Sequence, residues 1–145
     1  MTASGTDART LHPGSATGRV LHLDEPLSFW GGVGEDGRVI DVHHPQHGTS
    51  LVGRVVVMDS GRGSSSSAAV LAERLRDGTA PAALVLGSCD TILVVGALVA
   101  AELYDVQLPV VQLEAEGLDR LSGQVTVTAD PSGTARVAAT TEKER

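Results

Sequence analysis

The segment from residue 54 to residue 77 constrains the fold of this chain more than any other. Arg54–Asp59 is a short, valine-rich run that is typical of a buried strand. Glycines and serines fill most of residues 60–67 directly after it. Apolar side chains then recur at helical spacing, at Ala68, Leu71, Ala72 and Leu75. A buried strand followed at once by an amphipathic helix predicts an α/β fold.

The rest of the second half continues this alternation. Ala82–Leu86 predicts a strand, and Asp90 predicts the N-cap of a helix that ends near Tyr104. This helix is apolar nearly all round, so we expect it to be buried. Val110–Leu113 and Gln124–Thr128 predict two later strands.

The first half is predicted to be rich in strands. Gly18–Asp24 alternates polar and apolar residues, Leu27–Val33 is a second apolar run, and Arg38–Val42 is a short strand after a turn. Residues His43–Thr49 form a loop, because proline and glycine interrupt them. The predicted fold class is therefore α/β, with a β-rich first half and β-α-β units in the second half.

The length and composition indicate one globular domain. The chain has 145 residues, of which 41% are apolar and 20% are charged. Both ends are rich in small or polar residues and lack periodicity. We therefore expect a flexible leader over residues 1–16, a domain over 17–137 and a flexible tail over 138–145.

Composition also excludes several classes of function. Aromatic residues make up 2% of the chain, which is too few to stack single-stranded nucleic acid, and the net charge of −7 argues against binding a phosphate backbone. No signal peptide is visible in Met1–Gly18, and the apolar stretch Thr91–Ala101 is too short to cross a bilayer. We expect a cytoplasmic protein with neither nucleic-acid nor membrane partners.

The chain has a single cysteine, Cys89, and a single lysine, Lys143. One thiol excludes a disulfide framework and any metal or iron–sulfur site built only from this chain's thiolates, and it fits a reducing compartment. One lysine leaves almost no candidate for Schiff-base chemistry or for a lysine-bearing phosphate loop.

The loop after the valine-rich run has the residues of an anion site. The first N–H groups of a helix have no partner within it, and the helix dipole adds partial positive charge there. Gly61 and Gly63 let a ligand approach the backbone, Arg62 adds a permanent cation, and serines occupy positions 64–67. The alternative is a plain helix capped by serine, since no phosphate-loop, dinucleotide-binding or hydrolase-elbow motif is present.

Two other groups of residues admit two interpretations. Three histidines lie within residues 43–47, and they indicate either a metal site or a solvated loop. The solvated loop is favoured because no carboxylate or cysteine stands close by at ligand spacing. Phe29 and Trp30 precede two glycines, and the pair belongs either to the core or to the rim of a site.

Six short segments match a known family in the order in which they occur. They are Leu27–Val33 (LSFWGGV), His44–Gly48 (HPQHG), Gly61–Ser67 (GRGSSSS), Asp77–Ala83 (DGTAPAA), Ala101–Tyr104 (AELY) and Pro109–Val111 (PVV). Together they resemble the small subunit, or swivel domain, of the aconitase X proteins, over about residues 16–130. Two positions depart from the family pattern: Gly34-Glu35 stands where Asp-Pro is usual, and Gln46 stands where leucine is usual.

The resemblance implies a swivelling β/α domain that closes over a larger partner. It implies that the large subunit carries a metal or iron–sulfur centre, which polarises a leaving hydroxyl, and that this chain carries none. Ser64, directly after Gly-x-Gly, is then the general base that removes a proton next to a carboxylate. The implied substrate-binding residues are Trp30, Gly31, Gly32, Arg62, Gly63 and Ser65.

The function implied is that of a hydro-lyase small subunit, inactive alone and paired with its large subunit as a heterodimer. The expected substrate is a small hydroxy acid resembling cis-3-hydroxyproline. Two alternatives remain open: the small subunit of a phosphomevalonate-type dehydratase, and a non-catalytic module that binds carboxylates or regulates a partner. Ser65 either donates to substrate or caps the helix, whereas Ser66 and Ser67 are expected to be structural.

Overall fold

A computed structural model of the chain describes residues 5–61 and 64–140. Its strands are β1 (Gly5–His12), β2 (Gly14–His22), β3 (Arg54–Met58), β4 (Ala83–Leu86), β5 (Val110–Gln112), β6 (Gln124–Ala129) and β7 (Thr134–Ala139). Its helices are α1 (Phe29–Gly32), α2 (Ser67–Asp77), α3 (Thr91–Tyr104) and α4 (Ala115–Arg120). The strands close into a barrel in the order β1-β5-β4-β3-β2-β6-β7, and the α/β prediction is confirmed.

Four neighbouring strands of the barrel, β2 to β5, run parallel. Strands β1 and β6 flank them antiparallel, and β7 closes the barrel between β1 and β6, antiparallel to both. Because α2 links β3 to β4 and α3 links β4 to β5, both helices begin at the edge where these strands have their carboxyl ends. The two helices pack closely, since a Cβ on Gly96 of α3 would lie 2.9 Å from the backbone oxygen of Ala68 in α2. The barrel thus presents both helix starts at one edge.

The core consists of two apolar clusters, and the side chains of β3 point alternately into one and the other. Val55 and Val57 belong to the cluster that fills the barrel, whereas Val56 and Met58 pack with the helices, including Leu71 of α2. Both faces of β3 are therefore buried, which explains why its sequence is apolar without interruption.

The termini differ from the sequence prediction. Residues 5–12 form β1, which pairs with β5 and β7, and β2 begins at Gly14, so a flexible leader over 1–16 is wrong for residues 5–16. Residues 134–139 form β7, which the sequence did not predict and which includes the start of the expected tail. One face of β1 stays exposed, and alternating small and polar residues suit such a strand. Residues 1–4 and 141–145 lie outside the described part of the chain.

The segment between β2 and β3 is also less regular than expected. In place of a strand over Leu27–Val33, the structure has the single turn α1, in which Gly31 takes a φ of 81° that extended backbone does not allow. Arg38–Val42 makes only isolated bridges, one through Val39 and one through Arg38. The strand predictions for these two segments are wrong.

From α2 to β6 the second half agrees closely with its prediction, apart from one face of α3. Helix α2 ends at a left-handed Gly78 with a φ of 80°, and Asp90 caps α3 by accepting from two backbone N–H groups. The outer face of α3 is exposed, contrary to the expectation that the whole helix is buried. Within the described residues no helix is long and apolar enough to span a membrane.

Candidate active site

The loops that follow β3 and β4 meet at the carboxyl edge of the parallel strands. The backbone N–H of Gly87 donates to the carbonyl oxygens of Met58 at 3.1 Å and Asp59 at 2.9 Å. The hydroxyl of Ser88 donates to the same Asp59 oxygen at 3.3 Å. Ligands of parallel α/β sheets bind at this edge, and the serine run of the sequence lies in one of these two loops.

Asp90, which precedes α3, lies against Gly61 in the loop after β3. Its Oδ1 accepts hydrogen bonds from the backbone N–H groups of Ile92 at 3.0 Å and Leu93 at 3.2 Å. Its Oδ2 lies so close to Gly61 that a Cβ there would collide with it. A side chain at position 61 would therefore have to displace this carboxylate. The sequence did not reveal this close approach because it arises between two separate loops. Arg62 and Gly63, predicted substrate-binding residues, lie outside the described residues.

Ser64 stands at the entrance to α2. It is half-buried, and its Oγ accepts a hydrogen bond of 3.0 Å from the backbone N–H of Ser66. Its carbonyl oxygen accepts from the N–H of Ser67 at 2.9 Å, so Ser64 closes the turn that leads into α2. The N-cap of α2 itself, Ser66, makes no side-chain capping hydrogen bond. The hydrogen bond from the N–H of Ser66 favours negative charge on the Ser64 oxygen.

Ser65 and Ser66 are exposed, whereas Ser67 is buried. Ser65 lines a shallow hollow of about 180 Å³ between the starts of the two helices, together with Ala68, Thr91, Ile92 and Val95. Two larger clefts, of about 490 Å³ and about 420 Å³, lie beside α4 and are not lined by any of the four serines. Among the described residues, the hollow beside Ser65 is thus the cavity found at the start of α2.

The segment that carries Trp30 is fixed to α2 by a side chain that the sequence marked only as structural. Ser67 Oγ accepts a hydrogen bond of 3.1 Å from the backbone N–H of Trp30 and lies 3.3 Å from Ser28 Oγ. Phe29 is buried and Trp30 is 58% exposed, so the first ring belongs to the core and the second to the surface near Ser67. Gly31 is exposed beside Trp30, and Gly32 is buried against Leu27.

The histidine loop is held by hydrogen bonds. Gln46 donates its backbone N–H to Nδ1 of His44 at 3.0 Å, so the other ring nitrogen carries the proton that bonds the carbonyl oxygen of Glu25 at 2.9 Å. The side chain of Gln46 pairs with Asp24, to whose Oδ2 it donates at 2.9 Å. No group of three His, Cys, Asp or Glu side chains able to hold a metal ion occurs in residues 5–61 and 64–140.

The departure at Gly34-Glu35 lies away from Ser64. Gly34 accepts from the N–H of Gly37 at 3.0 Å, which makes Glu35 the second residue of a tight turn. The carbonyl oxygen of Gly34 also accepts from Arg74, near the carboxyl end of α2, at 3.1 Å. At a rise of about 1.5 Å per residue, Arg74 lies roughly 10 Å along the helix from its start. The residues that stand in place of Asp-Pro therefore belong to a turn that contacts the carboxyl end of α2 rather than its start.

The described residues thus form a closed β/α barrel that presents a run of serines at the start of a helix, at the carboxyl edge of its parallel strands. The chain belongs to the aconitase X swivel domain family, whose sequence model it matches over residues 6–137. This finding confirms the resemblance drawn from the six motifs.

The chain is similar to several curated proteins, of which two show how the domain occurs. It is 46% identical over 115 residues to a cis-3-hydroxy-L-proline dehydratase of Pseudomonas aeruginosa, which aligns 79% of this chain with 20% of that protein. It is 38% identical over 128 residues to the phosphomevalonate dehydratase small subunit of Methanothermobacter thermautotrophicus, which aligns 86% of this chain with 93% of that protein.

The structural match agrees with these relatives. Aconitase X of Thermococcus kodakaraensis, a crystal structure of the holo-form, has a TM-score of 0.75 and 32% identity, covering 91% of this chain and 98% of that chain. The chain spans only a fifth of the length of the Pseudomonas relative but nearly all of the Methanothermobacter one.

Proposed function

We propose that this chain is the small subunit of an aconitase X-type hydro-lyase and supplies a serine base to a site that a large subunit completes. One observation carries the proposal: Ser64 is half-buried at the start of α2, and its Oγ accepts a hydrogen bond of 3.0 Å from the N–H of Ser66. The family of the chain and the names of its relatives support the same reaction class.

A serine hydroxyl is a weak base at neutral pH, so its oxygen needs surroundings that favour the charged form. The N–H of Ser66 and the dipole of the eleven-residue helix α2 provide part of that field. Ser64 Oγ then removes the proton from the carbon beside the substrate carboxylate. The electron pair of that C–H bond forms a double bond to the next carbon, whose hydroxyl leaves, so that one water molecule is lost overall.

Other groups complete the proposed site. Ser65 donates its exposed hydroxyl to the substrate carboxylate, and Arg62 adds positive charge from the glycine loop. The backbone of the two glycines after Trp30 and the ring of Trp30 form the opposite rim of the site. We place the metal or iron–sulfur centre on the large subunit, where it would polarise the leaving hydroxyl when bound. The described residues of this chain offer no ligand set for it.

The favoured substrate is a small hydroxy acid resembling cis-3-hydroxy-L-proline, because the relative of that name is 46% identical. A phosphomevalonate-type substrate is the second candidate, because the named small subunit of that enzyme matches this chain over 93% of its length. Turnover of the assembled complex on each acid in turn decides between them. A complex that turns over neither but binds carboxylates would instead be a non-catalytic module.

The role of Ser64 is tested in the complex of this chain with the large subunit of the same organism. We expect Ser64→Ala to leave the complex intact on gel filtration and to lower kcat at least ~10²-fold, the scale of general acid–base catalysis. Ser66→Ala is the matched control, because it keeps the backbone N–H that bonds Ser64, and turnover should stay within about twofold. Near-normal turnover of Ser64→Ala would remove this residue from the mechanism.

A further inference from the structure

We infer that the outer face of α3, formed by Thr91, Ile92, Val95, Leu98 and Leu103, is the surface on which the large subunit docks. The inference rests on the proposed function, because it locates the partner of that same site. This helix has the composition of a buried helix, yet one side of it faces water.

Helix α3 is apolar over most of the side that faces water. Val95 and Leu98 are each 48% exposed and Leu103 is 67% exposed. Glu102, the one charged residue of the helix, follows Leu98 on the same face in the last turn. The solvent face of an amphipathic helix is normally polar, and a helix that is apolar all round is normally buried. The neighbouring α2 follows that rule, because Glu73 and Arg76 form an ion pair on its outer side.

The outer face of α3 is continuous with the edge of the barrel at which Ser64 lies. Its first turn and the first turn of α2 share the hollow that Ser65, Ala68 and Ile92 line. Ser65 is adjacent to Ser64 in the chain, so a partner that closes over Ser64 also meets the start of this face. The rest of the face extends from that point along the length of α3, as the exposure of Leu98 and Leu103 shows.

The occupant follows from how the domain occurs in its relatives. In the Pseudomonas relative this domain is about a fifth of one polypeptide, and in the Methanothermobacter relative it is nearly the whole of a named small subunit. The same domain therefore works both joined to a much longer chain and separate from it. A separate domain needs a surface that holds its partner without a covalent link, and that requires apolar area. We assign the outer face of α3 to the large subunit rather than to a second copy of this chain.

The test is the affinity of the purified chain for the large subunit of the same organism. Val95→Glu with Leu98→Glu replaces two half-exposed apolar side chains by good helix formers, and the isolated variant should keep its circular dichroism spectrum and Tm. Loss of their burial should weaken binding by about 10²-fold. Val52→Glu is the matched control: Val52 is 40% exposed but precedes β3 at the opposite edge, so its replacement should leave affinity unchanged.

The outcomes separate this inference from the proposed function. If the wild-type chain does not bind the large subunit, the proposed function fails. If the wild-type chain binds and the α3 variant binds equally well, the docking face is wrong while the proposed function stands. If the Val52 control weakens binding as strongly as the α3 variant, the interface lies elsewhere and the inference is overturned. Protection of α3 from hydrogen exchange on complex formation, with loss of that protection in the variant, would support it.

Discussion

The buried hydroxyl of Ser67 accepts a hydrogen bond of 3.1 Å from the backbone N–H of Trp30. This bond joins the loop between β2 and β3 to the first turn of α2, which is three residues from Ser64. Gly31, with a φ of 81°, turns the chain directly afterwards. The SFWGG segment and the serines at the start of α2, far apart in sequence, are thereby held together at one edge of the barrel.

Ser67→Ala should loosen the segment that carries Trp30. Removing one hydrogen bond should lower the free energy of unfolding by about 1 kcal/mol. Because Trp30 is the only tryptophan, its fluorescence anisotropy reports the segment directly and should fall. Ser66→Ala, which changes an exposed side chain in the same turn, is the control and should alter neither quantity. Equal anisotropy in all three proteins would show that Ser67 does not anchor Trp30.

The sequence predicted the features that are local. The spacing of Leu71 and Leu75 defines α2, the glycine at 78 ends it, and Asp90 caps α3, and each of these signals lies within the element that it specifies. The serine run was placed correctly at a helix start for the same reason. A helix is held by contacts between near neighbours in sequence, so a short window contains most of the information.

The features that sequence reasoning missed depend on distant partners. Strand β1 pairs Ala8 with Ala135 of β7, across most of the chain, and its alternating small and polar residues resemble a flexible terminus until that partner is known. The contact of Asp90 with Gly61 likewise joins two loops that only the parallel order of β3 and β4 brings together. The exposed face of α3 is apolar in a way that one chain alone does not explain.

The close approach of Asp90 to Gly61 predicts that a shorter side chain at position 90 restores stability to a Gly61 variant. In Gly61→Ala the new Cβ would collide with Oδ2 of Asp90 and come within 3.1 Å of Leu93, so the loop must shift. Overpacking of this kind should lower the free energy of unfolding by about 1–3 kcal/mol. Asp90→Ser keeps a capping hydroxyl but is shorter, so the double variant should recover most of that loss. Urea unfolding of the wild type, the two single variants and the double variant measures the coupling free energy between the two positions. Strictly additive changes in the free energy of unfolding would contradict the contact.

The turn at residues 34–37 predicts that the departure from the family pattern is neutral for catalysis. Glu35 is the second residue of this turn, a position at which proline is favoured. Glu35→Pro should raise the free energy of unfolding by about 0.4–1 kcal/mol, because proline restricts the unfolded chain. Turnover of the complex should not change, because the turn contacts the carboxyl end of α2 through Arg74. Glu35→Ala separates loss of the carboxylate from the backbone effect, and reduced kcat in either variant would place the turn in the site.

Asp77 should make part of the stability depend on pH. The hydrogen bond from the hydroxyl of Thr79, and then the charge of Arg74 at 3.0 Å, hold the pKa of Asp77 below its ordinary value of 3.8. A folded-state pKa below the unfolded one adds stability that is fully present above about pH 4 and is lost as the pH falls through the folded value. In Asp77→Asn the fall in urea midpoint between about pH 5 and pH 2 should therefore be smaller than in the wild type. Identical pH profiles for the two proteins would show that this carboxylate contributes nothing to acid sensitivity.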